Sequence, residues 1–247
     1  MTTEDVESMP SIIVENVSKN FRMRHTHSLK ESFLAWAQRK PLYTPFEALD
    51  GISFTVDEGE SVAVLGFNGS GKSTLLKLMS GVLRPDKGRI LTRGRVAGLI
   101  EVGAGFHPDL SGRENVYLNA AILGMNQKEI DDQFENILAF SEIGDFIESE
   151  VKHYSSGMFM RLAFAVAIHV RLDILLVDEI LSVGDAPFRI KCKEKIAELT
   201  GQGKTLVVVT HDQSMVRELC TRAIIIRKGK MIFDGNVEDA LAVLNGD

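Results

Sequence analysis

Residues 61–74 read SVAVLGFNGSGKST, and this stretch decides the fold class of the chain. The apolar run SVAVLG, residues 61–66, predicts a buried strand, and an apolar helical pattern starts at Thr74. Between them, residues 66–73 have the spacing G-x-x-x-x-G-K-S, which is typical of a loop that holds phosphate groups. Glycines let backbone N–H groups converge on an anion, and the following helix presents its positive end to the same point. The stretch therefore predicts a nucleoside triphosphate site at a strand-to-helix turn.

The polar side chains of this loop have distinct predicted roles. Lys72 would neutralise charge on the β- and γ-phosphates, and the hydroxyl of Ser73 would bind Mg²⁺. The other predicted nucleotide-binding residues of this loop are Gly66, Phe67, Asn68, Gly69, Ser70, Gly71 and Thr74. A nucleoside triphosphate with Mg²⁺ is thus the expected ligand.

A second motif lies about a hundred residues downstream. The apolar strand predicted at 173–178 ends in two adjacent acids, Asp178 and Glu179. Carboxylates at the end of a buried strand are costly unless they meet a cation or water, and ligands bind at this edge of open α/β sheets. We expect Asp178 to hold Mg²⁺ through water and Glu179 to polarise the attacking water. The pair therefore predicts hydrolysis of the bound nucleotide as well as its binding.

The rest of the chain indicates an α/β architecture. Predicted strands at 173–178 and 205–210 are each followed by a helix, and this alternation predicts a mostly parallel sheet covered on both faces. Residues 11–17 and 52–56 instead have the pattern of short strands in a half-buried antiparallel sheet. The segment 112–147 is mostly helical and is inserted between the elements of the nucleotide-binding fold.

Composition excludes several other classes of protein. The 247 residues have a formal net charge of −6, which argues against general affinity for nucleic acid. The two cysteines, Cys192 and Cys220, lie far apart in unrelated contexts, so they form neither a metal motif nor a disulfide framework. Both are expected to be reduced thiols.

One stretch fits neither the loop nor the sheet. Residues 28–40 begin with a capping box and carry Leu29, Phe33 and Trp36 at helical spacing, which predicts a short amphipathic helix before Pro41. Its apolar stripe could cover its own domain. Alternatively, the helix could dock on a partner or lie at a membrane interface, since it interrupts a hairpin and carries the only tryptophan.

Taken together, these motifs resemble the ATP-binding cassette ATPases, with similarity from about Ser11 to Asn245. Residues 154–158, YSSGM, resemble the family's signature LSGGQ, and Arg161 continues the pattern. Tyr, Ser and Met replace the family's Leu, first Gly and Gln. The resemblance implies that the signature binds the γ-phosphate of ATP held by a second copy of the chain. The implied contacts are Tyr154, Ser155, Ser156 and Gly157.

The same resemblance implies further roles. Asp185 ends a segment similar to the D-loop, which connects the two ATP sites, and His211 resembles the switch histidine that contacts the γ-phosphate. Glu101 stands where most cassettes have the glutamine of the Q-loop, and its carboxylate can still ligate Mg²⁺ but cannot donate a hydrogen bond. The aromatic residue that stacks on adenine is best matched by Phe21, with Tyr43 and Phe46 as competitors.

Two segments narrow the family further. Two ranges are similar to ATPases that export O-antigens, teichoic acids and related lipid-linked glycans: 101–115 (EVGAGFHPDLSGREN) and 178–188 (DEILSVGDAPF). The overall match is closest to the ATPase of actinobacterial galactan exporters. The residues at 28–40 then resemble the gate helix of that subfamily. The resemblance implies a homodimer at the cytoplasmic face of the membrane, bound to an integral membrane permease and acting on a lipid-linked glycan, without nucleic acid.

The expected fold is thus a P-loop NTPase cassette over residues 11–247, with a mostly parallel core sheet and an N-terminal antiparallel subdomain. A helical subdomain is expected at 102–170, and residues 1–10 are expected to be a flexible N-terminus. Two alternatives stay open. The chain could be the ATPase subunit of another exporter, for drugs or lipids, or an ATPase of this type without a transport role.

Overall fold

The computed structural model describes residues 9–24, 43–99, 103–178 and 185–246. The predicted gate helix at 28–40, with Leu29, Phe33 and Trp36, lies outside these residues. Glu101 and Glu179 also lie outside them.

The N-terminal strands form a three-stranded antiparallel sheet. Its strands, in spatial order, are β2 (Tyr43–Asp57), β1 (Pro10–Arg24) and β4 (Lys87–Thr92). The short strands predicted at 11–17 and 52–56 are wrong in extent, because β1 and β2 each contain 15 residues. Bulges interrupt their register, and pairing continues to Arg24 opposite Tyr43. Since bulges break the period-two pattern, the apolar alternation covers only part of each strand.

The central sheet contains six strands in the order β5-β6-β7-β3-β8-β9. They are β3 (Ser61–Leu65), β5 (Val96–Leu99), β6 (Ile174–Val177), β7 (Thr205–Val209), β8 (Arg222–Arg227) and β9 (Lys230–Asn236). Neighbours from β5 to β8 pair in parallel, and only β8 and β9 pair antiparallel. The prediction of a mostly parallel sheet is confirmed.

The helices in the described part of the chain are α1 (Lys72–Met79), α2 (Gly112–Ile122), α3 (Gln127–Ser141), α4 (Ser156–His169), α5 (Ala186–Gly201), α6 (Gln213–Leu219) and α7 (Val237–Asn245). Short 3-10 helices at Gly144–Glu148 and Val151–His153 lead into α4. Capping boxes at Ser111 and Asn126 start α2 and α3, as their sequences indicate. No helix in the described ranges combines the length and apolar character needed to cross a membrane.

The core lies on both faces of the central sheet. In β3, Ala63 and Leu65 face one apolar cluster, while Val62 and Val64 face another. The first cluster contains the buried side of α4 together with α5, α6 and α7, and the second contains α1 and the N-terminal sheet. This two-sided burial fixes the carboxyl ends of the parallel strands, where the predicted site residues lie.

Candidate nucleotide site

The phosphate loop, residues 66–74, joins the end of β3 to the start of α1. Gly66, Gly69 and Gly71 adopt positive φ values of 144, 77 and 112°. A Cβ added to Gly66 would lie 2.1 Å from the carbonyl oxygen of Ile226, and one added to Gly71 would lie 2.5 Å from that of Ala48. Backbone from two other strands therefore closes on the loop, and only glycine fits at these two positions.

The helix after the loop begins earlier than its apolar pattern suggests. We expected a helix from Thr74, but α1 starts at Lys72, so Lys72 and Ser73 lie in its first turn. Its N-cap, Gly71, provides no side-chain cap, and the first turn contains no acidic residue. The N–H groups at this helix end are thus left for an anion rather than for the chain's own side chains.

Lys72 brings a positive charge into the loop. Its side chain is 6% exposed, and Nζ donates hydrogen bonds to the carbonyl oxygens of Gly66 at 2.8 Å and Phe67 at 3.0 Å. These bonds fold the side chain back across the turn, which holds the ammonium group inside the curve of the loop. A cation in this position can neutralise a bound phosphate.

The loop fits a phosphate ligand in two further respects. The hydroxyl of Ser70 is buried and has no hydrogen-bond partner within the described residues, whereas buried polar groups are nearly always paired. A cleft of about 400 Å³ opens beside the loop. Its lining is Phe46, Ala48, Asn68, Gly69, Gly71, Lys72, Ser73 and Thr74. The uncapped helix end, the unpaired hydroxyl and the lysine together suit the triphosphate of ATP with Mg²⁺.

His211 and Asp178 follow two strands, β7 and β6, that end at the same edge of the sheet. β7 lies between β3 and β6, so His211, which follows β7, stands between the phosphate loop and Asp178. Neighbouring strands are about 4.8 Å apart, which separates β3 from β6 by roughly 10 Å. This distance leaves room for a water molecule between Asp178 and a Mg²⁺ ion held at the phosphate loop. No group of three histidine, cysteine or carboxylate side chains that could hold a metal occurs in the ranges described.

His211 contacts the phosphate loop directly. Its Nε2 lies 3.1 Å from Oδ1 of Asn68, at hydrogen-bonding distance, with the ring N–H donating. Asp212 fixes the backbone after it, because its carboxylate accepts from the N–H groups of Ser214 and Met215 at the start of α6. The side chain of His211 is therefore placed beside the residues predicted to hold the γ-phosphate.

Phe21 and Phe46, two of the three aromatic candidates for adenine stacking, are neighbours across the hairpin, and the side chain of the third, Tyr43, lies outside those described. Phe21 on β1 pairs directly with Phe46 on β2, and their side chains are 37% and 42% exposed. Phe46 lines the cleft beside the phosphate loop, whereas Phe21 stands on the next strand with the ammonium of Lys19 5.8 Å from its ring centre. The structure thus places the competitor, Phe46, nearer the nucleotide cleft than our first choice.

The signature segment, residues 154–158, lies on the helical region rather than beside the phosphate loop. Ser155 is the N-cap of α4 and accepts a hydrogen bond from the N–H of Met158 at 3.2 Å. Because of this cap, α4 starts at Ser156. Ser155 and Ser156 are both exposed. The Ser155 side chain takes up the N–H of Met158 alone, so the rest of this exposed helix end can still accept an anion from another molecule.

Tyr154 differs from its neighbours in the signature segment. Its hydroxyl donates to the carbonyl oxygen of Phe146 at 2.7 Å, and a Cβ on Gly112 would lie 2.0 Å from that hydroxyl. Burial, with a smaller effect from Glu148, raises the pKa of Tyr154 to about 12. The side chain that replaces the family's leucine is therefore committed to packing within the helical region, and any ATP contact at Tyr154 would be made by its backbone.

Asp185 is the N-cap of α5 and joins that helix to α4. Its Oδ1 accepts from Nη2 of Arg161 at 2.7 Å, and this hydrogen bond lowers the pKa of Asp185. The other nitrogen of the same guanidinium, Nη1, binds Glu142 at 2.8 Å. Glu142 carries no recognisable sequence signal, because only the fold brings it beside the signature helix.

Comparison with known proteins identifies the family. The model of the family described as "ABC transporter" matches residues 49–182. The O-antigen export system ATP-binding protein RfbB of Klebsiella pneumoniae is 42% identical over 93% of this chain and 95% of its own length. Teichoic acids export ATP-binding protein TagH of Listeria monocytogenes is 39% identical over 91% of this chain and 67% of its own length.

Some relatives are longer than this chain. ABC transporter protein AbcA of Aeromonas salmonicida is 50% identical over 77% of the chain, which spans 62% of AbcA. The chain also spans 51% of an RfbB from Myxococcus xanthus. Among solved structures, the dimeric post-hydrolysis state of the ATP-binding cassette MJ0796 bound to ADP and Pi gives a TM-score of 0.72, with 23% identity over 92% of this chain and 98% of that one.

The chain belongs to the ABC transporter family. This membership confirms the predicted class of enzyme, an ATPase that uses ATP and Mg²⁺. The likeness to the solved cassette structure confirms the predicted fold class. The similarity to O-antigen and teichoic acid export proteins supports the predicted subfamily as well.

Proposed function

We propose that the chain is the ATP-hydrolysing subunit of an exporter that moves a lipid-linked cell-surface polysaccharide across the cytoplasmic membrane. The observation that carries this proposal is the 42% identity to an O-antigen export ATP-binding protein over nearly the full length of both chains. A lipid-linked galactan is our specific candidate for the substrate.

The residues at the sheet edge have separate proposed roles in hydrolysis: phosphate binding, Mg²⁺ binding and proton acceptance. Lys72, held inside the phosphate loop, would take the β- and γ-phosphates, and the Ser73 hydroxyl and Asp178 would hold Mg²⁺. When bound, Mg²⁺ neutralises phosphate charge and polarises the bond that breaks. Glu179 would accept a proton from the attacking water, and His211, fixed by Asn68, would contact the γ-phosphate.

Two copies of the chain would complete each site. The phosphate loop and the capped Ser155 lie on different parts of one chain, and the exposed end of α4 is suited to meet a phosphate presented by another molecule. Each ATP would therefore lie between Lys72 of one copy and Ser155 of the other. ATP binds the closed dimer more tightly than the open one, and this difference in affinity performs the mechanical work.

The exporter would also need an integral membrane permease, which would hold this subunit at the cytoplasmic face of the membrane. We assign Leu29, Phe33 and Trp36 to contacts with that permease or with the membrane interface. The apolar stripe of three residues at helical spacing supports this assignment.

The test is to deplete the protein from its native cells and complement with variants of a tagged copy. We expect depletion to cause a lipid-linked glycan to accumulate, and a membrane permease to co-purify with the tag. Wild type should restore export, Lys72→Ala should not, and the double change Phe33→Ser and Trp36→Ser should impair export while leaving the ATPase folded. Accumulation of a drug or a lipid without sugar would favour another exporter, and no co-purifying membrane protein would favour a role outside transport.

A further inference from the structure

Glu142 occupies a backbone conformation that its residue type disfavours. It caps the C-terminus of α3 with φ of 56° and ψ of 27°, in the left-handed region. Glycine is the usual residue at such a helix end, because a Cβ is strained there. A charged, non-glycine residue at this position points to a role for the side chain that offsets the strain.

The side chain of Glu142 connects three helices. Oε2 accepts from Nη1 of Arg161 on α4 at 2.8 Å, and Oε1 accepts from Nζ of Lys191 on α5 at 2.7 Å. These two cations lower the pKa of Glu142, with the Lys191 hydrogen bond as the largest cause. The carboxylate is therefore charged at neutral pH and shared between the two neighbouring helices.

Arg161 extends the connection to the catalytic segment. Its guanidinium binds Glu142 through Nη1 and Asp185 through Nη2, and it lies over the ring of Phe188 with 4.9 Å to the centroid. Asp185 directly follows the residues 179–184, which begin with the predicted base. Six residues along α4, or about 9 Å of helix, separate Arg161 from Ser155. The guanidinium of Arg161 thus links α4, which Ser155 caps, to Asp185, the residue that follows the segment containing Glu179.

We propose that Glu142 is a positioning residue, which holds Arg161 in the orientation that ties the signature helix to Asp185. This inference rests on the proposed ATPase function and deepens it. With Glu142 in place, a displacement of Ser155 on meeting ATP is carried by α4 and Arg161 to Asp185. Without Glu142, Arg161 keeps only one of these two carboxylate partners, so its orientation is less fixed and the link between the signature helix and Asp185 loosens.

A purely stabilising role does not explain the arrangement. The side chain of Glu142 is 49% exposed, and ion pairs this exposed contribute little to stability. Replacement by glycine would relieve the backbone strain. Variants at this position should therefore lose ATPase activity without losing thermal stability, which makes the proposal testable.

The experiment compares Glu142→Gly, Glu142→Gln and Glu142→Asp in the full-length chain. We expect Glu142→Gly to melt no lower than wild type, yet to lose roughly tenfold in kcat because its catalytic groups are misplaced. KM for ATP should stay within about twofold, since the phosphate loop is untouched. Glu142→Asp, which keeps the charge, should retain more activity than Glu142→Gln.

The matched control is Asp132→Asn, which breaks an exposed ion pair with Lys128 on the same helix, α3. It should leave kcat unchanged. An unchanged kcat in Glu142→Gly, or an equal loss in the control, would overturn the inference while wild type remains active. A wild-type chain without ATPase activity would instead overturn the proposed function, and the inference with it.

Discussion

Nε2 of His211 lies 3.1 Å from Oδ1 of Asn68, so the residue after β7 is hydrogen-bonded to the phosphate loop after β3. The two residues are 143 positions apart in the sequence. Parallel pairing of β3 with β7 brings them together at the carboxyl edge of the sheet. The contact supports our assignment of His211 to the γ-phosphate, and the following predictions test the groups around it.

Lys72→Ala should weaken ATP binding by tenfold or more. Its ammonium is the buried positive charge of the phosphate loop, and losing a charged hydrogen bond costs about 1.5–3 kcal/mol, which is a factor of tenfold or more in affinity. Calorimetry with Mg²⁺-ATP measures this directly. Lys128→Ala, on the exposed face of α3, is the control and should bind normally. Undiminished affinity in Lys72→Ala would remove the phosphate-loop assignment.

Ser155→Arg should separate ATP binding from dimerisation. The bulky side chain would block the end of α4 where the partner's phosphate is expected, while the phosphate loop of each chain stays intact. We expect normal affinity for ATP in the monomer and no ATP-dependent dimer by light scattering. Thr221→Arg, at an exposed turn before β8, should dimerise as wild type does. ATP-dependent dimers of Ser155→Arg would count against the composite site.

Glu179→Gln should keep ATP binding and lose hydrolysis. The amide preserves size but cannot accept a proton from the attacking water, and general base catalysis contributes typically about 10²–10⁴ in rate. Because the reset step is missing, the closed dimer should accumulate. Single-turnover hydrolysis beside size-exclusion chromatography in Mg²⁺-ATP measures both effects. Near-normal hydrolysis would contradict the assignment of Glu179 as the base and would indicate a catalytic role for His211 instead.

Asp178→Asn should behave differently from its neighbour. It weakens the placement of Mg²⁺, so both the binding of Mg²⁺-ATP and hydrolysis should fall. The same two measurements apply, with ATP affinity determined at several Mg²⁺ concentrations. If Asp178→Asn instead binds normally and accumulates closed dimers, the roles of the two acids are exchanged.

Asp212 should make stability depend on pH. Hydrogen bonds from Ser214, then from Met215, lower its pKa to about 2. Since this lies below the unfolded value of about 3.9, its carboxylate stabilises the fold above about pH 4, and that contribution is lost as pH falls towards 2. Asp212→Ala should cost about 1 kcal/mol at pH 7 through loss of the N-cap. Urea unfolding between pH 7 and 3 should show the two proteins converging; a constant difference would contradict this.

Local sequence was enough to predict the phosphate loop and several helix starts. The glycines of the loop, the boxes at Ser111 and Asn126, and the apolar strand before Asp178 each act within a few residues of their own position. The same holds for the parallel sheet, because alternation of strand and helix leaves few other topologies. Short-range chemistry therefore accounts for most of the architecture.

What was missed depends on contacts between distant segments. Strand β4 is almost entirely exposed, so it lacks the apolar alternation that marks a strand, and its pairing with β1 is what reveals it. The packing of the Tyr154 side chain was also missed, because only the fold brings the carbonyl of Phe146 and the backbone of Gly112 beside its hydroxyl. Nothing in the sequence singles out Glu142, because its side chain meets Arg161 and Lys191 on two helices that follow it in the chain.

The hairpin of β1 and β2 has a consequence for how such a chain can diversify. Its last pair, Arg24 opposite Tyr43, brings the two ends of the intervening eighteen residues to neighbouring positions, about 5 Å apart across the strands. A segment that leaves and re-enters at one point can be lengthened, shortened or exchanged for another without altering the strands beneath it. The hairpin is therefore a natural grafting point, where a new specificity could be installed while the ATPase stays the same.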